Sequence, residues 1–162
     1  MACKLAKENK MMIALDLASY NVVEENLESF KKIVKGYVDI LFANELESRA
    51  YPGFEPEEAL AVLSSMSETV IMKIGADGSW LKRVNELIKV TAFPVNCIDT
   101  TGAGDLYAAG FLYGLARGLN LEKCGILGSL MAGKVIEIVG ARMNKEKFRE
   151  IRKDIEEIIT EK

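Results

Sequence analysis

The sequence of 162 residues contains no histidine. This absence excludes the catalytic schemes in which a histidine activates a serine or cysteine nucleophile, and it removes the most common metal ligand. A general base, if the protein has one, must therefore be an aspartate, glutamate, lysine, tyrosine or cysteine side chain.

Cysteine is also scarce. Only Cys3, Cys97 and Cys124 are present, and no two of them have the CxxC spacing of redox and zinc motifs. An odd number of widely spaced cysteines is typical of reduced thiols, and we therefore expect a cytoplasmic protein.

Long apolar runs and an excess of positive charge are missing as well. No segment approaches the ~20 apolar residues that span a bilayer, and residues 1–10 lack the apolar stretch of a signal peptide. The net charge is −3, and the lysines and arginines are scattered along the chain. We therefore expect no membrane association and no nucleic-acid partner.

The arrangement of apolar residues, which make up 49% of the chain, predicts an α/β fold. Short runs that are apolar on both sides, at 11–18, 37–43 and 69–76, are typical of buried parallel strands. They alternate with segments whose apolar residues have helical spacing, such as 21–36. This alternation predicts a layered sheet with helices in one domain over residues 1–162.

Glycine and proline predict the boundaries of several elements. Gly36 is predicted to cap the helix over 21–36, and Pro52 is predicted to end a short helix that precedes it. A tight turn at 77–79 is expected to return the third strand through 80–84 as a hairpin. The segment over 87–95 is expected to be extended and to suit an edge or terminal strand. From Asp105 onward the chain is predicted to be helical.

The stretch DTTGAGDLYAAGFL, residues 99–112, carries the strongest chemical signal. Glycines before a helix allow its unpaired N–H groups to face a phosphate, and the positive end of the helix favours a carboxylate at Asp105. Such a carboxylate could accept a proton from a hydroxyl. On local physics alone, a glycine-rich helix start with an acid that merely complements the helix dipole is an equally good interpretation.

The whole string resembles the C-terminal signature of the ribokinase-like (PfkB) sugar and nucleoside kinases. The matching pattern is D-T-T-G-A-G-D, then three residues, then A-G-F-L. By this resemblance Asp105 is the catalytic base that deprotonates the acceptor hydroxyl. Gly102, Ala103 and Gly104 would supply the backbone anion hole for the transferred phosphoryl group, and Asp99 and Thr101 would lie near a monovalent-cation site.

A second motif, Asn44-x-x-Glu47, follows a predicted strand. It resembles the NxxE motif of the same family, which implies nucleotide binding by Asn44 and contact of Glu47 with Mg²⁺ through water. The same spacing is that of a helix capping box, in which the two side chains serve only the helix start. The order of the motifs favours both roles at once.

Four further residues are nucleotide-binding candidates by resemblance. Gly75 and Gly78 lie in a GxxG turn, although a hairpin requires such glycines in any case. Lys73 ends the preceding strand and could face the phosphates, but an exposed lysine is the common alternative. Ala132 lies in a helix of small residues that would admit a flat ring or allow two helices to pack closely.

The resemblance implies the C-terminal portion of a ribokinase-like three-layer α/β/α fold, without the N-terminal strands and the β lid. It implies ATP and Mg²⁺ as cofactors, with K⁺ as a further candidate, and phosphorylation of a hydroxyl on a sugar or nucleoside. The adenosine-kinase-like and sugar-kinase members are more similar than the phosphofructokinases. An exposed sheet edge would favour a homo-oligomer.

Two alternatives remain open at this point. The chain is a truncated, non-catalytic nucleotide-binding or assembly fragment that needs a complementary N-terminal half, or it is a structural α/β fragment that binds no nucleotide. Loss of the lid would leave the acceptor hydroxyl unpositioned, and phosphoryl transfer depends mostly on positioning.

Overall fold

A computed structural model of the chain describes residues 1–50 and 53–160, so the helix end predicted at Pro52 lies outside the described residues. The chain divides into two compact units. The first comprises Met1–Ile74 and Trp80–Leu87, and the second comprises Gly75–Ser79 and the chain from Ile88 onward.

The strands form a five-stranded sheet in the order β1-β2-β3-β4-β5. The first three strands are parallel to one another. Because parallel strands place their carboxyl ends at the same edge of a sheet, Asp16, Asn44 and Lys73 end their strands at one edge. The strands are β1 (Ala14–Asp16), β2 (Ile40–Asn44), β3 (Thr69–Lys73), β4 (Ser79–Arg83) and β5 (Glu86–Val90).

Helices of the first unit precede β1 or connect β1, β2 and β3. They are α1 (Ala2–Glu8), α2 (Tyr20–Glu25), α3 (Leu27–Tyr37), α4 (Glu45–Ala50) and α5 (Pro56–Ser64). The core of this unit is apolar and includes Leu17, Val34, Leu41, Leu63, Val70 and Met72. The alternating pattern of short apolar runs and amphipathic segments is therefore borne out here.

The second unit is mainly helical. Its helices are α6 (Ala103–Ala116), α7 (Leu121–Ile136) and α8 (Lys145–Thr160). A cluster formed by Met131, Val135, Met143 and Ile151 contributes to its core. Within the described part of the chain, no helix is both long and apolar enough to cross a membrane.

Three boundary predictions were wrong. The helix over 21–36 is divided at Asn26, which has φ −125° and ψ 23° and precedes α3. Gly36 lies inside α3, which ends at Tyr37. The strand within 87–95 stops at Val90, because the following Thr91 carbonyl accepts a hydrogen bond from Ser129 Oγ at 2.9 Å and Pro94 has no N–H to donate.

The returning strand predicted after the third strand is β4, which lies next to β3 in the sheet. A further hairpin, which was not predicted, forms from β4 and β5 and contains a strained residue. Val84, the first of its two connecting residues, has φ +54° and a 70% exposed side chain. A β-branched residue in this left-handed region is unfavourable. We therefore expect Val84→Gly to raise the free energy of unfolding by about 1 kcal/mol in a urea titration.

Val139→Gly provides the matched control for this substitution. Val139 is 83% exposed and does not have a positive φ. Because glycine there only adds flexibility to the unfolded chain, we expect a loss of about 0.5–1 kcal/mol. If both substitutions change stability in the same direction, the assignment of strain to Val84 is wrong.

Candidate functional site

The signature glycines form the start of α6. Gly102 is the N-cap, with φ +82°, and a Cβ atom there would lie 2.7 Å from Ala141 Cβ. The Ala103 N–H donates to the Thr100 carbonyl at 3.1 Å, and the Leu106 N–H donates to the Gly102 carbonyl at 2.9 Å. The first-turn N–H groups of Gly104 and Asp105 have no intrahelical partner, as at the start of any α-helix. The helix thus begins with a positive end at a residue that only glycine fits.

Asp105 is the third residue of α6, because the helix starts at Ala103 rather than at Asp105 as predicted. Its side chain is exposed. A carboxylate in this position is stabilised by the helix dipole and is accessible to a hydroxyl group from solvent.

Asp99 holds the turn before this helix. One carboxylate oxygen accepts hydrogen bonds from the Thr101 N–H at 2.9 Å and Thr101 Oγ at 2.7 Å. The other accepts from the Gly140 N–H at 2.7 Å. These bonds, that of the Thr101 side chain first, lower the pKa of Asp99 below its ordinary value. The structure therefore brings Asp99 and Thr101 together, as a clamp between the turn and Gly140.

Four candidate site residues from separate sequence motifs line one cavity of about 570 Å³ in the second unit. Gly75, Gly78, Ala103 and Ala132 are all part of its wall. A cavity of this size is typical of small-molecule and cofactor sites. The GxxG turn, the signature loop and the small-residue helix thus contribute to the same cavity.

Tyr107, a member of the cavity wall, forms a buried polar pair with Ser79 that was not predicted from the sequence. The Tyr107 hydroxyl and Ser79 Oγ are 2.6 Å apart. Burial raises the pKa of Tyr107 to about 12, although the hydrogen bond to Ser79 opposes the shift. The sequence gives no signal for this pair, because an aromatic side chain at helical spacing is typical of a core residue.

Alkaline pH is expected to destabilise the protein through Tyr107. The folded state holds the phenol proton more tightly than the unfolded state, so this contribution is complete below the unfolded pKa of 10.0 and is lost as pH rises towards about 12. A shift of this size corresponds to about 2–3 kcal/mol. The measurement is urea unfolding of the wild type and Tyr107→Phe from pH 9 to pH 12.

The exposed Tyr113 on the same helix provides the control. Tyr113→Phe should retain the alkaline loss of the wild type, whereas Tyr107→Phe should lack most of it. An identical pH dependence in all three proteins would contradict the role of Tyr107.

In the first unit, Asn44 and Glu47 form the capping box. The Glu47 N–H donates to Asn44 Oδ1 at 2.9 Å, and the two Glu47 oxygens accept from the Asn44 N–H at 2.9 Å and from Asn44 Nδ2 at 2.8 Å. Glu47 is only 3% exposed. Its pKa is raised, chiefly by burial and further by the Asp16 charge, against the opposing effect of Lys73. A buried carboxylate with a raised pKa is a functional-site candidate as well as a cap.

Lys73 is half-buried and paired rather than exposed. Its ammonium lies 2.8 Å from Asp16 Oδ2, and its side chain is only 14% exposed. Asp16 is the residue that sequence reasoning missed. The available signal was a charged residue at the end of a predicted parallel strand, since Asn44 and Lys73 also end such strands.

The backbone after Asp16 is strained. Its Oδ1 accepts from the Ala18 N–H at 2.9 Å, Ala18 has φ +64°, and the Ser19 N–H donates to the Leu17 carbonyl at 2.7 Å. A three-residue turn with positive φ at its centre is rare and strained, and strain of this kind is often found at functional sites. Asp16, Asn44, Glu47 and Lys73 thus form one polar cluster at the carboxyl edge of the sheet.

The polar cluster offers oxygen ligands for a magnesium ion but does not by itself complete its coordination. Among the described residues, no group of three or more aspartate, glutamate or cysteine side chains is placed to hold a metal ion. Carboxylate oxygens combined with water are the usual ligands of Mg²⁺. The oxygens of Glu47 already accept hydrogen bonds from Asn44, so contact through water fits this carboxylate best.

The described chain has the fold of the ribokinase-like kinases, which confirms the predicted α/β class. It aligns with the crystal structure of adenosine kinase from Sinorhizobium meliloti with a TM-score of 0.87 and 34% identity. The alignment covers 94% of this chain and 48% of that one.

The chain belongs to the pfkB family of carbohydrate kinases, which matches it over residues 2–147. It is 35% identical over 111 residues to the nucleoside kinase of Methanothermobacter thermautotrophicus, covering 67% of this chain and 35% of that protein. It is 27% identical over 140 residues to the ATP-dependent 6-phosphofructokinase of Thermoanaerobacterium thermosaccharolyticum, covering 83% and 44%. These relatives are kinases of sugars or nucleosides and hence transferases. The chain spans 30% to 49% of the length of the curated relatives that it matches.

Proposed function

We propose that the protein takes part in ATP-dependent phosphorylation of a hydroxyl group on a sugar or nucleoside. One observation carries the proposal: a helix with a glycine N-cap in the left-handed conformation bears an exposed Asp105 in its first turn. Membership of the pfkB family supports a kinase, and an ATP-dependent relative supports ATP as the donor.

The start of α6 is proposed to hold the transferred phosphoryl group. Gly102, Ala103 and Gly104 provide the anion hole, with charge stabilised by backbone N–H groups and the helix dipole. The Ala103 N–H is already bonded to the Thr100 carbonyl, so the first-turn N–H groups of Gly104 and Asp105 are the most available donors. The positive φ of Gly102 sets this arrangement.

Asp105 is proposed as the general base. The acceptor hydroxyl loses its proton to a carboxylate oxygen of Asp105, its oxygen forms a bond to the γ-phosphorus of ATP, and the bond between that phosphorus and the β–γ bridging oxygen breaks. ADP leaves with the electron pair of the broken bond. Exposure of Asp105 leaves its carboxylate accessible to the acceptor.

The first unit is proposed to bind magnesium and phosphates. Glu47 would contact Mg²⁺ through water, with its orientation fixed by Asn44, and Lys73 would exchange its Asp16 partner for a phosphate oxygen. Magnesium supplies charge neutralisation of the β- and γ-phosphate oxygens when it is bound. The burial of Glu47 and its raised pKa support this role.

The cavity of the second unit is proposed to receive the nucleotide base and ribose through Gly75, Gly78 and Ala132. Asp99 and Thr101 are proposed to lie near a monovalent-cation site, where the carboxylate both clamps the turn and supplies charge. We further propose a cytoplasmic protein that self-associates through β1, which is an edge strand of the described sheet.

A second candidate function is a nucleotide-binding half that is active only with a complementary N-terminal chain. Its support is the coverage of less than half of the curated relatives. Transfer of labelled phosphate from Mg-ATP to adenosine, ribose and fructose distinguishes the two functions. Transfer by the chain alone supports the complete kinase, whereas nucleotide binding without transfer to any acceptor supports the second candidate.

A further inference from the structure

The cavity of the second unit has walls suited to a flat ring. Phe93, Ala92 and Ala132 lie in its lining, and Gly133 adds a wall without a side chain. A Cβ atom at Gly133 would lie only 2.9 Å from Phe93 Cβ. The aromatic ring of Phe93 therefore packs against α7 at Gly133, a position that has no side chain.

Phe93 is held from a second direction by charge. The Lys134 ammonium lies over its ring, 5.5 Å from the centroid, and the same ammonium is 2.9 Å from Asp154 Oδ2 on α8. An ion pair and a cation–π contact thus restrain one side chain of the cavity wall. The restraint favours a fixed aromatic platform over a mobile core residue.

The polar side chains of the same wall are already used within the protein. Tyr107 is bonded to Ser79 at 2.6 Å, and Ser129 Oγ donates to the Thr91 carbonyl at 2.9 Å. The Ser129 proton is used by the Thr91 carbonyl, and one proton of the Tyr107–Ser79 pair is used within the pair, so donation of either proton to a ligand would cost an existing hydrogen bond. Thr100, a further polar member, lies beside the start of α6 and hence near the proposed phosphate site.

We propose that the cavity selects the base of the donor nucleotide by stacking on Phe93 and by shape, with no side-chain readout of its hydrogen-bonding edge. This inference rests on the proposed function. Every purine has a π-face, whereas adenine and guanine differ in their edges, so ATP and GTP bind with similar affinity. Phe93 is the residue that determines this preference for a flat ring.

The test measures dissociation constants of Mg-ATP, Mg-GTP and inorganic triphosphate by competition with a fluorescent nucleotide. We expect ATP and GTP to differ by less than about ten-fold. Phe93→Ala should weaken both nucleotides by about ten-fold, within the range known for base–aromatic stacking, and should leave triphosphate affinity unchanged. Phe93→Leu retains apolar bulk without the ring and should show the same selective loss.

Phe148→Ala is the matched control, because Phe148 is an exposed phenylalanine on α8 outside the cavity lining. It should leave all three affinities unchanged. A preference for ATP above ten-fold, or equal losses of nucleotide and triphosphate in Phe93→Leu, would overturn the inference while leaving the proposed function intact. If neither nucleotide nor triphosphate binds the wild type, the proposed function itself is contradicted.

Discussion

Replacing Asp105 with asparagine is expected to lower phosphoryl transfer by about 10³-fold while changing Mg-ATP affinity only a few-fold. Asparagine has nearly the same shape and can remain exposed in the first turn of α6, but its amide cannot take a proton from the acceptor hydroxyl. The loss should therefore appear in kcat and not in the KM for ATP. Initial rates with labelled ATP, measured where the wild type turns over, provide this comparison.

Glu122→Gln is the control for the helix-dipole interpretation of Asp105. Glu122 is an exposed acid in the first turn of α7, just as Asp105 is in the first turn of α6. Its substitution should lower the free energy of unfolding by no more than about 0.5 kcal/mol and leave transfer unchanged. If Asp105→Asn retains full turnover, Asp105 is only a dipole residue and the assignment as base is wrong.

Gly78→Ala is expected to have the largest effect on stability. Gly78 has φ +98°, and a Cβ atom there would lie 2.0 Å from the Val90 carbonyl oxygen and 2.7 Å from the Ala92 nitrogen. Both neighbours are backbone atoms, so no side chain can move aside. Left-handed strain and the steric overlap together should lower the free energy of unfolding by about 3–5 kcal/mol, a large share of the total for a small protein.

Substitutions at two other glycines, measured by urea unfolding, separate the contribution of left-handed strain from that of steric overlap. Gly118 also has a positive φ, +75°, but open space around it, so Gly118→Ala should cost only about 1–2 kcal/mol. Gly36 lies in α3 with open space and no positive φ, so Gly36→Ala should stabilise by about 0.5–1 kcal/mol. A loss at Gly78 no greater than the loss at Gly118 would contradict the predicted clash.

The sequence predicted those parts of the site whose residues are close together along the chain. The capping box of Asn44 and Glu47 and the glycine start of α6 depend on spacing within a few residues, and spacing is visible in sequence. The common cavity of Gly75, Ala103 and Ala132 was only implied by the family resemblance, since nothing local links these positions.

Long-range pairs were harder to predict. The Asp16–Lys73 ion pair joins residues 57 positions apart, and periodicity alone cannot pair the ends of two strands. From sequence alone, Lys73 is therefore compatible both with a phosphate contact and with an exposed lysine. The prediction of one helix over 21–36 was wrong for a different reason. Asn26 and Gly36 each suit several backbone conformations, and tertiary packing decides among them.

Calorimetric titration of the chain with Mg-ATP tests the central claim, that this pfkB-family chain carries a nucleotide site, more directly than any assay of turnover. We expect saturable binding to one site and a higher melting temperature, equivalent to about 2.7 kcal/mol at a ligand concentration 100 times Kd. Absence of heat and an unchanged melting temperature at millimolar Mg-ATP would contradict it, and would leave an α/β fold that binds no nucleotide.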